Sequence, residues 1–121
     1  MKKLLLVILM QFVVTVAISQ TVKCNDLLDF IITKGYKKAT FTSFTLGSSW
    51  LSKVTAYTYD YKVYVVADIK ESEYSFKTKS YLFCGIPNSN WQSFQYGGYG
   101  IPTSYGERFH KYIIDYKCDC N

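Results

Sequence analysis

The sequence predicts an α+β domain: a small, mainly antiparallel sheet with a short helix before it and two helices after it, stapled by disulfides. Apolar residues recur at three-to-four spacing over 27–34 and again over 109–116. Between Thr40 and Cys84 the period drops to two, in segments rich in aromatic and β-branched residues. Cys24, Cys84, Cys118 and Cys120 stand near the start, in the middle and at the end of what remains after an export signal.

That signal is the first element. Lys2 and Lys3 precede an apolar run, Leu4 to Met10 and Phe12 to Val14, and Ala17-Ile18-Ser19 offers small residues for signal peptidase. Residues 1–19 are therefore expected to be removed before Gln20, leaving a secreted or periplasmic protein with no membrane span. A retained anchor would need about 20 predominantly apolar residues, and Gln11, Thr15 and Ser19 interrupt this stretch. A lipidated Cys24 is disfavoured because Lys23, not a small residue, precedes it.

The formal charge of +5 falls to +3 once Lys2 and Lys3 leave, with twelve basic residues against nine acidic. That is mildly basic and dispersed, unlike a nucleic-acid-binding domain. Lys34, Lys37 and Lys38 alone cluster, and they read as a solvated helix end and loop. A mature chain of this length forms one domain with a modest core.

Within it, Asn25-Asp26 is expected to cap a helix over 27–34, with Gly35 as a left-handed terminator. A strand from Thr40 runs until Gly47-Ser48-Ser49. Residues 50–59 and 62–70 form the next two strands around an Asp60-Tyr61 turn, and 74–84 the fourth. Gly85-Ile86-Pro87 ends the sheet, Asn88-Ser89-Asn90 opens a helix carrying Trp91 and Phe94, and a Gly-rich loop follows. Ser104 and Glu107 have the spacing of a capping box for the last helix, whose apolar face is Phe109, Tyr112, Ile113 and Tyr116.

Four cysteines in a small exported chain read as two disulfides. A ring closed between Cys118 and Cys120 is too tight for cystine geometry. Cys24 is thus expected to join one of these and Cys84 the other. A four-thiolate zinc site would space its paired ligands by two to four residues, whereas Cys118-Asp119-Cys120 has one between them. Neither metal nor cofactor is expected.

Residues 48–121, from Ser49 to about Lys117 in particular, resemble the KTSC domain, a module found at the carboxyl end of certain lysyl-tRNA synthetases and as small free-standing proteins. The resemblance rests on Ser48-Ser49-Trp50 leading to Tyr59-Asp60, on Tyr81-Leu82-Phe83 followed by Gly85-Ile86-Pro87, and on Ser104, Gly106, Phe109 and Ile113. Phe83 stands where the family has a second tyrosine, His110 where it has asparagine, and the segment 69–80 is longer than usual. Residues 20–47 would be an amino-terminal extension. The resemblance implies a fold rather than an activity; the RNA binding suggested for such domains suits an exported protein poorly.

His110 is the one histidine, which excludes a catalytic triad and any two-histidine metal site. A Cys84–His110 nucleophile pair and disulfide exchange through Cys118-Asp119-Cys120 are the enzymatic alternatives, the latter without the Cys-x-x-Cys spacing of thioredoxin-like proteins. Twelve tyrosines and two tryptophans exceed what so small a core needs, so some rings should meet partners. The sequence thus points to a binding module for a protein, peptide or glycan of the envelope or medium, with Trp91, Tyr96, Tyr99 and Tyr105 around the Gly-rich loop as contact residues.

Overall fold

A computed structural model describes residues 23–97 and 103–118; the expected signal peptide, Tyr99 and Cys120 lie outside them. The elements run α1 (Cys24–Lys34), β1 (Tyr36–Phe41), α2 (Ser43–Leu46), β2 (Leu51–Tyr59), β3 (Lys62–Lys70), β4 (Thr78–Phe83), α3 (Asn88–Tyr96) and α4 (Tyr105–Tyr112), then a 3-10 turn over Ile114–Tyr116. The four strands form one antiparallel sheet in the order β1-β2-β3-β4. The α+β class expected from the sequence is the class observed.

The sheet separates two apolar clusters, as period-two alternation requires. Val54, Ala56, Val65, Ala67 and Phe83 pack with Trp91 and Phe94 of α3 and with Phe109 and Ile113 at α4. Tyr57, Val66, Leu82 and Cys84 turn the other way, against Ile31 of α1. Asp60 and Tyr61 make the expected turn between β2 and β3, both left-handed at φ 51° and 62°. This is the two-residue hairpin connection whose twist matches that of its strands.

The chain between Gly35 and Leu51 departs from expectation. β1 begins at Tyr36, and residues 43–46 coil into one helical turn where the alternation implied continuing strand. Phe41 and Leu46 both pack in the α3–α4 cluster. They are an odd number of residues apart, so an extended chain would send them to opposite faces; coiling brings both home. Gly35 is extended at φ −71°, not left-handed. Its reason is room: a Cβ there would lie 2.6 Å from the Ile31 carbonyl oxygen and 3.2 Å from Tyr57 Cβ.

Helix starts also differ. α1 begins at Cys24 after Lys23, without the Asn25-Asp26 cap, and α3 begins after Pro87 without a side-chain cap. Asn90 instead donates through Nδ2 to the Tyr112 carbonyl at 3.1 Å, joining α3 to α4. Ser104 does cap α4, its Oγ accepting from the Glu107 N–H at 3.1 Å. β4 starts only at Thr78 because β3 ends at Lys70, its partner. Tyr74 and Phe76, expected in that strand, stand in the 71–77 loop at 91% and 102% exposure.

The tail closes the molecule. Lys117 bridges Phe83, Cys84 N–H donates to the Tyr116 carbonyl and Cys118 N–H to the Leu82 carbonyl. Cys24 and Cys118 are disulfide-bonded, their Cα atoms 6.0 Å apart, which fixes one of the two pairings the sequence left open. Cys84 is also disulfide-bonded and nearly inaccessible.

Candidate functional site

Two stretches more than fifty residues apart in the chain converge at one end of the α3–α4 face. Gly47 to Trp50, between α2 and β2, form one wall of a cleft of about 370 Å³; Ser104, Gly106, Glu107 and His110 form the other. Such a volume suits a small ligand or one unit of a larger one.

The walls are held by their own backbone chemistry. Gly47 caps α2 in the left-handed conformation and turns the chain towards Ser48. Ser48 Oγ accepts from the N–H groups of Trp50 and Leu51 at 3.3 and 3.1 Å, which fixes the entry into β2. The Trp50 ring meets Phe109 and His110 edge-on, both at 5.7 Å between centroids. Gly106 lets the first turn of α4 come down on this wall: a Cβ would lie 3.2 Å from Trp50 Nε1 and 3.3 Å from Ser48 Oγ. Glu107 and His110, one turn apart on α4, remain exposed at the rim. Serine hydroxyls, a carboxylate, an imidazole and part of an indole thus border one concavity.

Exposed rings lie at the same end of the sheet. Phe44 on α2, at 96% exposure, precedes the Gly47 wall, and the loop bearing Tyr74 and Phe76 follows Lys70, whose N–H bonds the Trp50 carbonyl.

The loop-centred site expected from the sequence is only partly a surface. Trp91 is fully buried, and its indole N–H has no acceptor among the described residues. Trp91 is therefore a core residue and not a contact residue, because no partner can reach it. Tyr105 packs on Phe41 and Phe94, each at 5.7 Å, beneath the Arg108 guanidinium 4.2 Å above its ring. Arg108 also donates to the Phe94 carbonyl at 2.8 Å and to the Thr103 carbonyl, so Tyr105 is clamped rather than mobile. Tyr96 is exposed at the end of α3.

The remaining motif residues are mostly structural. Phe83, Phe109 and Ile113 are fully buried, Gly85 takes φ 69°, and Pro87 precedes α3. Tyr81 is half-buried on β4, with the ammonium groups of Lys117 and Lys79 at 4.3 and 5.4 Å from its ring. Ser104, Gly106 and His110 line the cleft. The Cys84–His110 pair is not assembled: Cys84 belongs to the α1 cluster, His110 to the opposite face, and Cys84 is oxidised. Cys118 is likewise committed to Cys24, which removes it from a dithiol pair with Cys120. No cluster of potential metal ligands occurs among the described residues.

The cleft was missed from the sequence as a unit. In the sequence its walls stand as separate local signals, Gly47-Ser48-Ser49-Trp50 as a strand break and family motif and Ser104 to Glu107 as a helix cap and family motif, with nothing to join them. Comparison with known proteins finds no matching family model, curated protein or solved structure.

Proposed function

We propose that the protein is an exported, KTSC-like binding module and that its cleft takes a glycan. The convergence of Ser48, Ser49 and Trp50 with Ser104, Glu107 and His110 carries this reading. Vicinal hydroxyls of a sugar need both donors and acceptors at close range, and the indole beside them suits its C–H face. The exposed rings at the same end extend the contact area for a chain longer than the cleft itself. A rim carboxylate, Glu107, disfavours an RNA backbone at this place.

Glu107 and His110 are exposed, so Glu107→Gln with His110→Ala tests the site with little risk to the fold. Losing a hydrogen bond to a charged group costs about 1.5–3 kcal/mol, so binding on a glycan array and by calorimetry should fall at least about tenfold. Tyr96→Ala, away from the cleft, should leave it unchanged. Undiminished glycan binding by the double variant refutes the assignment, and capture of peptides only would replace the glycan by a peptide. An intact mass beginning at Gln20 for protein from its native cell tests export.

A further inference from the structure

The opposite end of the sheet carries a second surface. Tyr61, at the tip of the β2–β3 hairpin, is fully exposed at φ 62°. That backbone conformation favours glycine at this turn position, and a bulky residue there is an outlier with a conformational cost. The side chain buries nothing among the described residues in return, the residue being 104% exposed.

It has neighbours. Tyr59 precedes the turn, 40% exposed, and meets Phe30 of α1 at 4.9 Å. Tyr36, 74% exposed, opens β1 opposite Thr58, and Ile32 near the end of α1 is 47% exposed. The cations gather here too. Lys34 ends α1, Lys37 and Lys38 lie on β1, and Lys62 pairs with Tyr59 across the turn; all four are exposed, with Asp60 the acidic residue at the turn itself. The three clustered lysines read from the sequence as a solvated helix end therefore stand beside a protruding aromatic tip.

We infer that this end docks on an anionic lipid surface, with Tyr61 and Tyr36 entering the headgroup layer and Lys34, Lys37, Lys38 and Lys62 meeting lipid phosphates. Amphipathic rings settle at the membrane–water boundary, and lysines beside them add attraction to anionic lipid. Aliphatic Ile32 and the Phe30 edge fit the acyl boundary and offer nothing to a nucleic-acid backbone, the other polyanion four lysines could attract. The inference is independent of the glycan cleft, which lies at the other end.

The test is co-sedimentation of the oxidised mature protein with vesicles of phosphatidylcholine alone or with one quarter phosphatidylglycerol, at low and high salt. Binding should require the anionic lipid and weaken with salt. Each lysine near such a surface is worth about a fivefold factor, so Lys37→Ala with Lys38→Ala should weaken binding roughly 25-fold. Tyr61→Gly is the discriminating variant. It relieves the left-handed strain, so its melting temperature should not fall, yet its vesicle binding should. Equal binding to both vesicle types, or undiminished binding by Tyr61→Gly, overturns the inference. Retention of a DNA or RNA duplex, with no vesicle binding, would overturn it in favour of nucleic acid.

Discussion

Replacing Gly35 by alanine isolates how α1 is seated on the sheet. The backbone there, φ −71° and ψ 152°, is ordinary for alanine. The unfolded chain would lose freedom, which alone would stabilise the variant by about 0.4–1 kcal/mol. Against this, the new Cβ meets the Ile31 carbonyl oxygen at 2.6 Å and Tyr57 Cβ and Cδ1 at 3.2 and 3.3 Å. The first contact is with backbone and cannot be relieved by a rotamer change. Relieving it means breaking the 2.8 Å bond from Gly35 N–H to that same oxygen, and relieving the Tyr57 contacts means lifting the end of α1 from β2. Overpacking of this kind costs about 1–3 kcal/mol and a lost hydrogen bond about 1. The net expectation is a loss of roughly 1–3.5 kcal/mol, measured by urea unfolding of the oxidised protein. Gly47→Ala is the control: Gly47 has φ 55° with nothing within 4 Å of a Cβ. It should cost only the left-handed penalty of about 1–2 kcal/mol, with Gly47→Asn recovering part of it. A Gly35→Ala protein as stable as wild type would refute the close seating of α1.

Peptide mapping of the oxidised protein should recover Cys24 linked to Cys118 and, by the framework expected from the sequence, Cys84 linked to Cys120. The first bridge spans 94 residues, for which the loop-entropy limit is about 4.7 kcal/mol. With a second bridge retained, Cys24→Ser with Cys118→Ser should cost about 2–4 kcal/mol; a loss below about 1 would mean that α1 and the tail dock without it. Ser104→Ala removes the acceptor for the Glu107 N–H and should destabilise by roughly 1 kcal/mol, an unchanged urea midpoint refuting the cap.

Legibility followed the strength of local periodicity. β2 and β3 are the central strands, buried at their middles on both faces and rich in β-branched and aromatic residues, and their turn lies between them, so both strands were readable to within a residue. β1 is an edge strand with none of its six residues fully buried. Its Tyr36-Lys37-Lys38 start therefore carries no alternation to read. The cap at Ser104 was legible because it is local; the role of Gly35 was not, because besides the nearby Ile31 carbonyl oxygen it must avoid Tyr57 on β2, far along the chain. The cleft failed for the same reason, its walls being joined only by the fold.

The aromatic residues make this limit concrete. Composition alone flags an excess of rings and cannot separate Trp91, wholly buried, from Tyr61, wholly exposed. The topology does. Helices lie on both faces of the sheet, α1 on one and α3 with α4 on the other, so rings inside the strands, such as Phe41, Tyr57, Tyr81 and Phe83, are drawn into one cluster or the other. Although Trp50, just before β2, packs on Phe109, several rings beyond strand ends escape both. Phe44, Tyr74 and Phe76 do so near the cleft, and Tyr61 does so at the hairpin tip, with Tyr36 exposed at the first residue of β1. A sheet sandwiched in this way can offer broad aromatic contact only at its two ends, and there the hydroxyl-rich cleft and the lysine-flanked tip give the two ends different chemistry.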